Sequence, residues 1–270
     1  MPLMIDTHCH LTFPEFTGRV KDVLDAGALV GVHSAITIAT TTADAIRTTE
    51  LAALHPRLFA SAGVHPLYCD KQCDWAELRR AGEHPKCVAW GELGLDNHYD
   101  TPPAAQQRII LEEQLTHIVN WSAQGLAKPI VVHCRKAFAD LVPILAATGL
   151  PGDRFVFHCF TGDSSDVRMA LDLGAFISFT GVLTFPGAPE VRAAAKIVPI
   201  DRLMVETDSP FLAPQPVRGA WPNEPRYVVH VAAALAETRG DNPNTLNDQL
   251  DENAARFFGE LLRQPRMVAP

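Results

Sequence analysis

Short apolar runs recur along the chain at Met4–His8, Ala35–Ala39, Leu58–Ala62, Cys87–Gly91, Ile130–His133, Phe155–His158, Phe176–Phe179 and Leu203–Glu206. They are rich in Val, Ile and Phe and alternate poorly, the pattern of strands buried on both faces. The stretches between them, such as Gln106–Gln124, Ser164–Leu173 and Pro189–Val198, carry apolar residues at helical spacing, and Asn244–Arg263 predicts a closing helix. Gly or Pro marks most junctions, as at Gly31, Gly149-Leu150-Pro151 and Gly174. Eight strands alternating with helices predict a parallel sheet with crossover helices. That count within 270 residues favours a single-domain (β/α)8 TIM barrel over an open doubly wound sheet. No linker, low-complexity tract or repeat divides the chain, so one unit over residues 1–270 is expected.

A barrel of this kind builds its chemistry at the C-terminal ends of its strands. There the first strand carries His8 and His10, the third runs into His65, and the fourth runs into Glu92. The fifth ends in His133 and Arg135, the sixth in His158, and the eighth in Glu206-Thr207-Asp208. His8 and His10 are two apart, so they share a face of the strand, with Cys9 turned away. His8, His10 and Asp208 can hold one divalent cation and His133 and His158 a second, with Glu92 bridging through its two oxygens. Two cations about 3.5–4 Å apart grip both flanks of a phosphodiester and bring the pKa of bound water towards about 7. Asp208 would then take or position the water proton.

Each residue also has a plainer reading. A histidine on an apolar strand is often a satisfied core residue, and Glu92 or Asp208 could cap a helix. The repetition of metal-ligand types at one end of six strands favours the site. Asp6 lies one layer below His8 and is expected to support the ligands rather than bind metal. His33, His55, His84, His98, His117 and His230 lack strand-end positions and are expected to be surface or structural.

Apolar residues make up 47% of the chain and charged residues 20%, a globular composition. No apolar run reaches the ~20 residues of a membrane helix, and no basic-then-apolar leader opens the chain, so a cytoplasmic protein is expected. The six cysteines are expected to be buried or loop thiols, including Cys69 and Cys73. The net charge of −8 argues against broad, non-specific binding of nucleic acid through a basic face. It leaves a phosphodiester substrate open, because bound cations invert the local charge.

In these residues the chain resembles the TatD-type metal-dependent deoxyribonucleases, within the amidohydrolase-like barrels. The resemblance runs through Asp6-Thr7-His8-Cys9-His10-Leu11, Gly63-Val64-His65-Pro66 and Gly91-Glu92-Leu93-Gly94-Leu95-Asp96. It continues through His133-Cys134-Arg135-Lys136-Ala137, His158-Cys159-Phe160-Thr161-Gly162, Glu206-Thr207-Asp208-Ser209-Pro210-Phe211-Leu212, Arg218-Gly219 and Asn223-Glu224-Pro225. It implies a two-metal hydrolase acting on DNA, usually as an exonuclease from the 3′ end. It also places the metals on His8, His10, Glu92, His133, His158 and Asp208, with His65 and Arg135 as phosphate contacts. A guanidinium and an imidazole N–H both suit a non-bridging phosphate oxygen.

Two departures stand out. Thr12 replaces the Asp usual in the family, removing a supporting carboxylate. Ala220-Trp221-Pro222 stands where basic residues are usual; Trp221 reads first as a packed loop anchor and second as a surface for stacking a base. The same barrel could instead hydrolyse an aminoacyl-tRNA ester or a small amide, or serve as a metal-dependent scaffold. The complete ligand set disfavours the scaffold. Arg135, Lys136, Arg218 and Arg226 are the candidate cations for a nucleic-acid groove. His and carboxylate ligands suit Zn, Mn, Ni or Co, and the nuclease role implies Mg or Mn. A monomer is the default expectation.

Overall fold

Strand and helix alternate through β1 (Met4–Cys9), α1 (Val20–Leu29), β2 (Val32–Thr37), α2 (Thr42–Leu54), β3 (Leu58–Ala62), α3 (Trp75–Glu83), β4 (Cys87–Asp96) and α4 (Ala104–Ala123). The order continues with β5 (Ile130–Arg135), α5 (Phe138–Ala147), β6 (Phe155–Phe157), α6 (Ser164–Leu173), β7 (Phe176–Phe179), α7 (Pro189–Ile197), β8 (Leu203–Val205), α8 (Val228–Arg239) and α9 (Pro243–Phe258). This computed structural model describes residues 3–263, so the outermost residues of the expected 1–270 unit, 1–2 and 264–270, lie outside the described part. All eight strands form one parallel sheet in sequential order. A parallel bridge between Cys9 and Ser209, with Asp208 N–H donating to His8 O at 2.9 Å, brings the two edges together as a (β/α)8 barrel.

One apolar cluster draws on every strand through Ile5, Ile36, Phe59, Val88, Val131, Val156, Phe176 and Met204. Such a cluster forms only inside the barrel, and Phe257, Phe258 and Leu262 join it from α9 and the turn after it. The larger cluster lies between the sheet and its outer helices. The expected closing helix is interrupted: α9 ends at Phe258, Gly259 turns at φ +111°, and a single 3-10 turn follows.

The strand ends also differ from expectation where the site begins. β4 runs five residues past Gly91, so Glu92 lies within the strand rather than beyond it. β6 and β8 stop one residue short, placing His158 and Glu206 just past their strands. Pairing of β4 with β5 slips between Trp90 and Leu93, a bulge centred on Gly91 and Glu92 that re-aims the glutamate.

Candidate metal centre

Backbone crowding explains the glycines around Glu92. A Cβ on Gly94 would lie 1.8 Å from His133 O, and one on Gly63 would lie 2.4 Å from the Gly91 backbone. Glycine at these positions lets β3, β4 and β5 approach closely enough for His65, Glu92 and His133 to meet. On the far side Asp208 sits at φ +54° and Cys159, next to His158, at φ +43°. Non-glycine residues in this region cluster at functional sites.

Six side chains converge at the C-terminal mouth. Around Glu92 Oε1 lie His8 Nε2 and His10 Nε2, each at 3.6 Å. These two nitrogens are 3.3 Å apart, and Asp208 Oδ1 lies 3.6 Å from the first and 3.4 Å from the second. Around Glu92 Oε2 lie His158 Nε2 at 2.7 Å and His133 Nδ1 at 3.5 Å, themselves 3.2 Å apart. One carboxylate therefore faces two sets of donor atoms, one with each oxygen. The first set is spaced like the edges of a tetrahedron built on metal–ligand bonds of about 2.1 Å. Glu92 Oε2 is buried with no hydrogen-bond partner, although His158 Nε2 is close; an orphaned carboxylate oxygen among lone pairs fits a cation.

The outward nitrogens of the rings fix which atoms face inward. His10 Nδ1 donates to Ile38 O at 3.1 Å, His158 Nδ1 to Glu206 Oε1 at 3.2 Å, and His133 Nε2 to Asp96 Oδ2 at 3.0 Å. Each partner only accepts, so the outward nitrogen carries a proton, and in the neutral ring a lone pair points into the cluster. His65 is wired the other way. Its Nδ1 accepts from Leu67 N–H at 3.0 Å, so the neutral ring carries its proton on Nε2. That N–H reaches to 3.2 Å from His133 Nδ1 and 3.8 Å from Glu92 Oε2. Burial pushes the His65 pKa down to about 3, keeping the ring neutral.

Charge in the cluster is strongly coupled. Burial pushes the Glu92 carboxyl up, but the histidines gathered around it outweigh that and hold the group well below the usual carboxylate range. Burial likewise opposes ionisation of Asp208, and the imidazoles packed against it, His10 foremost, hold the carboxyl below its usual range. Asp6 lies below the cluster, accepting from Thr207 N–H at 2.8 Å and Thr207 Oγ1 at 2.6 Å. Burial pushes it up to about 8 against those bonds.

Arg135 is not drawn into the cluster; its guanidinium lies over Tyr99, 5.3 Å from the ring centre. Arg226 is committed to Glu224 at 2.9 Å, which Arg19 also contacts, so it is a weaker phosphate candidate than its sequence position implied. Lys136 and Arg218 are exposed. Thr12 Oγ1 is buried without a partner. Trp221 is not a packed anchor: it is 62% exposed. Asp96 and Glu206 were visible in the strand-end motifs, but only the fold shows that they orient His133 and His158; Glu206 also accepts from Cys159 N–H and Ser178 Oγ.

A parallel barrel with histidines and carboxylates clustered at its mouth defines the class of metal-dependent barrel hydrolases. The chain belongs to the TatD related DNase family, whose profile matches residues 5–259. It is 38% identical over 258 residues to the uncharacterized metal-dependent hydrolase YcfH of Escherichia coli strain K12, covering 94% of this chain and 95% of that one. It is 33% identical over 267 residues to the 3′-5′ ssDNA/RNA exonuclease TatD of Edwardsiella piscicida, covering 94% and 99%. Its fold is similar to the crystal structure of YJJV, a TatD homologue from Escherichia coli K12, with a TM-score of 0.87, 31% identity and coverage of 97% and 98%. It is a TatD-family metal-dependent hydrolase.

Proposed function

We propose that this enzyme hydrolyses phosphodiester bonds of DNA, as an exonuclease working from the 3′ end of single strands, and that it uses two divalent cations. The observation that carries this reading is Glu92, with one oxygen facing His8, His10 and Asp208 and the other facing His133 and His158. His8, His10, Glu92 and Asp208 would hold the first cation, and Glu92, His133 and His158 the second. Bound there, the pair supplies a water acidic enough to lose its proton at neutral pH and positive charge against the phosphate.

The chain's own groups do the rest. Asp208, held ionised, is the base that takes or orients the water proton. His65 serves as an N–H donor to a non-bridging phosphate oxygen rather than a ligand, because its lone pair is occupied by Leu67 N–H. Arg135 stands further out, suited to the next phosphate along the strand. Mg or Mn is the working metal in this reading, and the histidine-rich sets also accept Zn, Ni or Co. We place the enzyme in the cytoplasm as a monomer, in keeping with six free thiols. Among the described residues no helix is long and apolar enough to cross a membrane.

The test is hydrolysis of 5′-labelled single-stranded DNA by the metal-loaded protein. Stepwise shortening from the 3′ end, lost with EDTA and in Asp208→Asn, is expected. No cleavage by protein that holds its metals would move the substrate to an aminoacyl-tRNA ester or a small amide.

A further inference from the structure

A line of aromatic rings leads out of the metal cluster. The His10 ring stacks on Phe13, with centres 4.8 Å apart and planes at 21°. Phe13 meets Phe211 edge-on at 6.1 Å, and Phe211 meets Trp221 at 5.9 Å. Phe13 follows β1, and Phe211 and Trp221 follow β8, so all three sit on loops at the mouth. Burial increases towards the ligand cluster: Trp221 is 62% exposed, Phe211 42%, Phe13 is partly buried, and the His10 ring is almost fully buried. Two large, adjacent, exposed aromatic faces are costly to leave in water unless something covers them.

We infer that Phe13, Phe211 and Trp221 form a stacking subsite for the unpaired bases of a single strand whose phosphate lies at the metal cluster; this rests on the nuclease reading above. Aromatic rings accept any base through its π-face, so the subsite takes the strand without reading its sequence. Ring centres 6.1 and 5.9 Å apart, with the planes turned to one another, suit consecutive bases of an extended strand taken one against each ring. Bases in a duplex are already stacked and paired, and must be splayed out before they can use these rings. Arg218, three residues before Trp221 on the same loop, is stacked over Phe185 with its guanidinium 3.5 Å from the ring centre, and only its exposed edge is left to meet a phosphate. The subsite therefore favours single strands without a broad basic groove, which suits a chain of net charge −8.

The experiment titrates the full-length protein in EDTA, so that nothing is turned over. The probes are an octathymidylate, an octauridylate, an abasic eight-mer with the same number of phosphates, and a blunt duplex, read by tryptophan fluorescence and by anisotropy of a labelled strand. Both single strands should quench the fluorescence and bind about tenfold or more tightly than the abasic strand and the duplex. Trp221→Ala and Phe211→Ala should each lose that advantage, raise KM on the octathymidylate with kcat little changed, and bind the abasic strand as the wild type does. Equal binding of abasic and base-bearing strands, or unaltered binding by Trp221→Ala, overturns the subsite. If the metal-loaded protein still shortens DNA, that failure leaves the nuclease reading standing; if it neither binds nor shortens any strand, both fail. A preference for octauridylate over octathymidylate would support the stacking and name RNA as the better source of bases.

Discussion

The floor of the barrel is closed by Phe257, Phe258 and Leu262 against an apolar side chain from every strand, whereas the mouth buries His8, His10, Glu92, His158, Asp96 and Glu206. Both ends are closely packed, but they are held together differently. At the floor the contacts are non-directional, so size and shape decide the fit. At the mouth each buried charge needs a named partner in a fixed direction, and Glu92 Oε2 goes without a hydrogen bond altogether. Stability is concentrated at one end of the strands and chemistry at the other. The two ends should therefore respond to substitution on different axes.

The largest effect is expected from Glu92→Ala. It removes the carboxylate whose two oxygens face the two ligand sets, so bound metal, counted by elemental analysis, should fall from the proposed two per chain, and turnover should drop to background. Circular dichroism should keep its native form, and unchanged metal content would rule out the bridge. Asp208→Asn keeps the shape while removing the proton acceptor, so kcat should fall by roughly a thousandfold with the fold intact. Asp96→Asn and Glu206→Gln leave every ligand in place but weaken the hold on His133 and His158. Each should cost about 10–100-fold in metal affinity or activity, measured by competition with a chelator.

The floor should behave in the opposite way. Phe257→Ala removes a ring that packs against Phe176 at 5.0 Å and Phe258 at 4.7 Å, and should lower unfolding free energy by about 3–5 kcal/mol in urea. At a temperature where the variant remains folded, kcat should match the wild type; a large fall in kcat would show that the two ends are coupled.

Asp6 lies between the ends, and its effect is read from the pH dependence of stability rather than from turnover. Folded, its carboxyl keeps its proton up to about pH 8, while in the unfolded chain it ionises near pH 4. Between those values the unfolded chain binds fewer protons, so stability falls as pH rises through the window and levels off above it. In Asp6→Asn, measured in EDTA beside the wild type, that part of the slope should vanish.

The same division explains what the chain disclosed in advance. β3, β7 and α6 fall on their expected residues because Leu58–Ala62, Phe176–Phe179 and Ser164–Leu173 are set by local apolar pattern. β4 was expected to stop at Gly91, since glycine usually punctuates a strand, but here Gly91 and Gly94 permit close backbone approach and pairing continues to Asp96 opposite Arg135. β6 and β8 end early where the backbone turns towards the site. Strand-end position was enough to nominate His8, His10, Glu92, His133, His158 and Asp208, which the fold brings together. It could not separate the wiring of His65 from that of His133, because that depends on what each outward nitrogen meets. Nor could it show that Arg226 is engaged by Glu224 or that Trp221 stands in solvent.

The central claim is that one glutamate joins two metal positions, and electron paramagnetic resonance of the Mn²⁺-loaded protein tests it most directly. Two Mn²⁺ per chain with an exchange-coupled spectrum are expected, as for ions about 3.5–4 Å apart on a shared carboxylate, with coupling lost in Glu92→Ala. A single, isolated six-line Mn²⁺ signal at saturating metal would contradict the two-metal site.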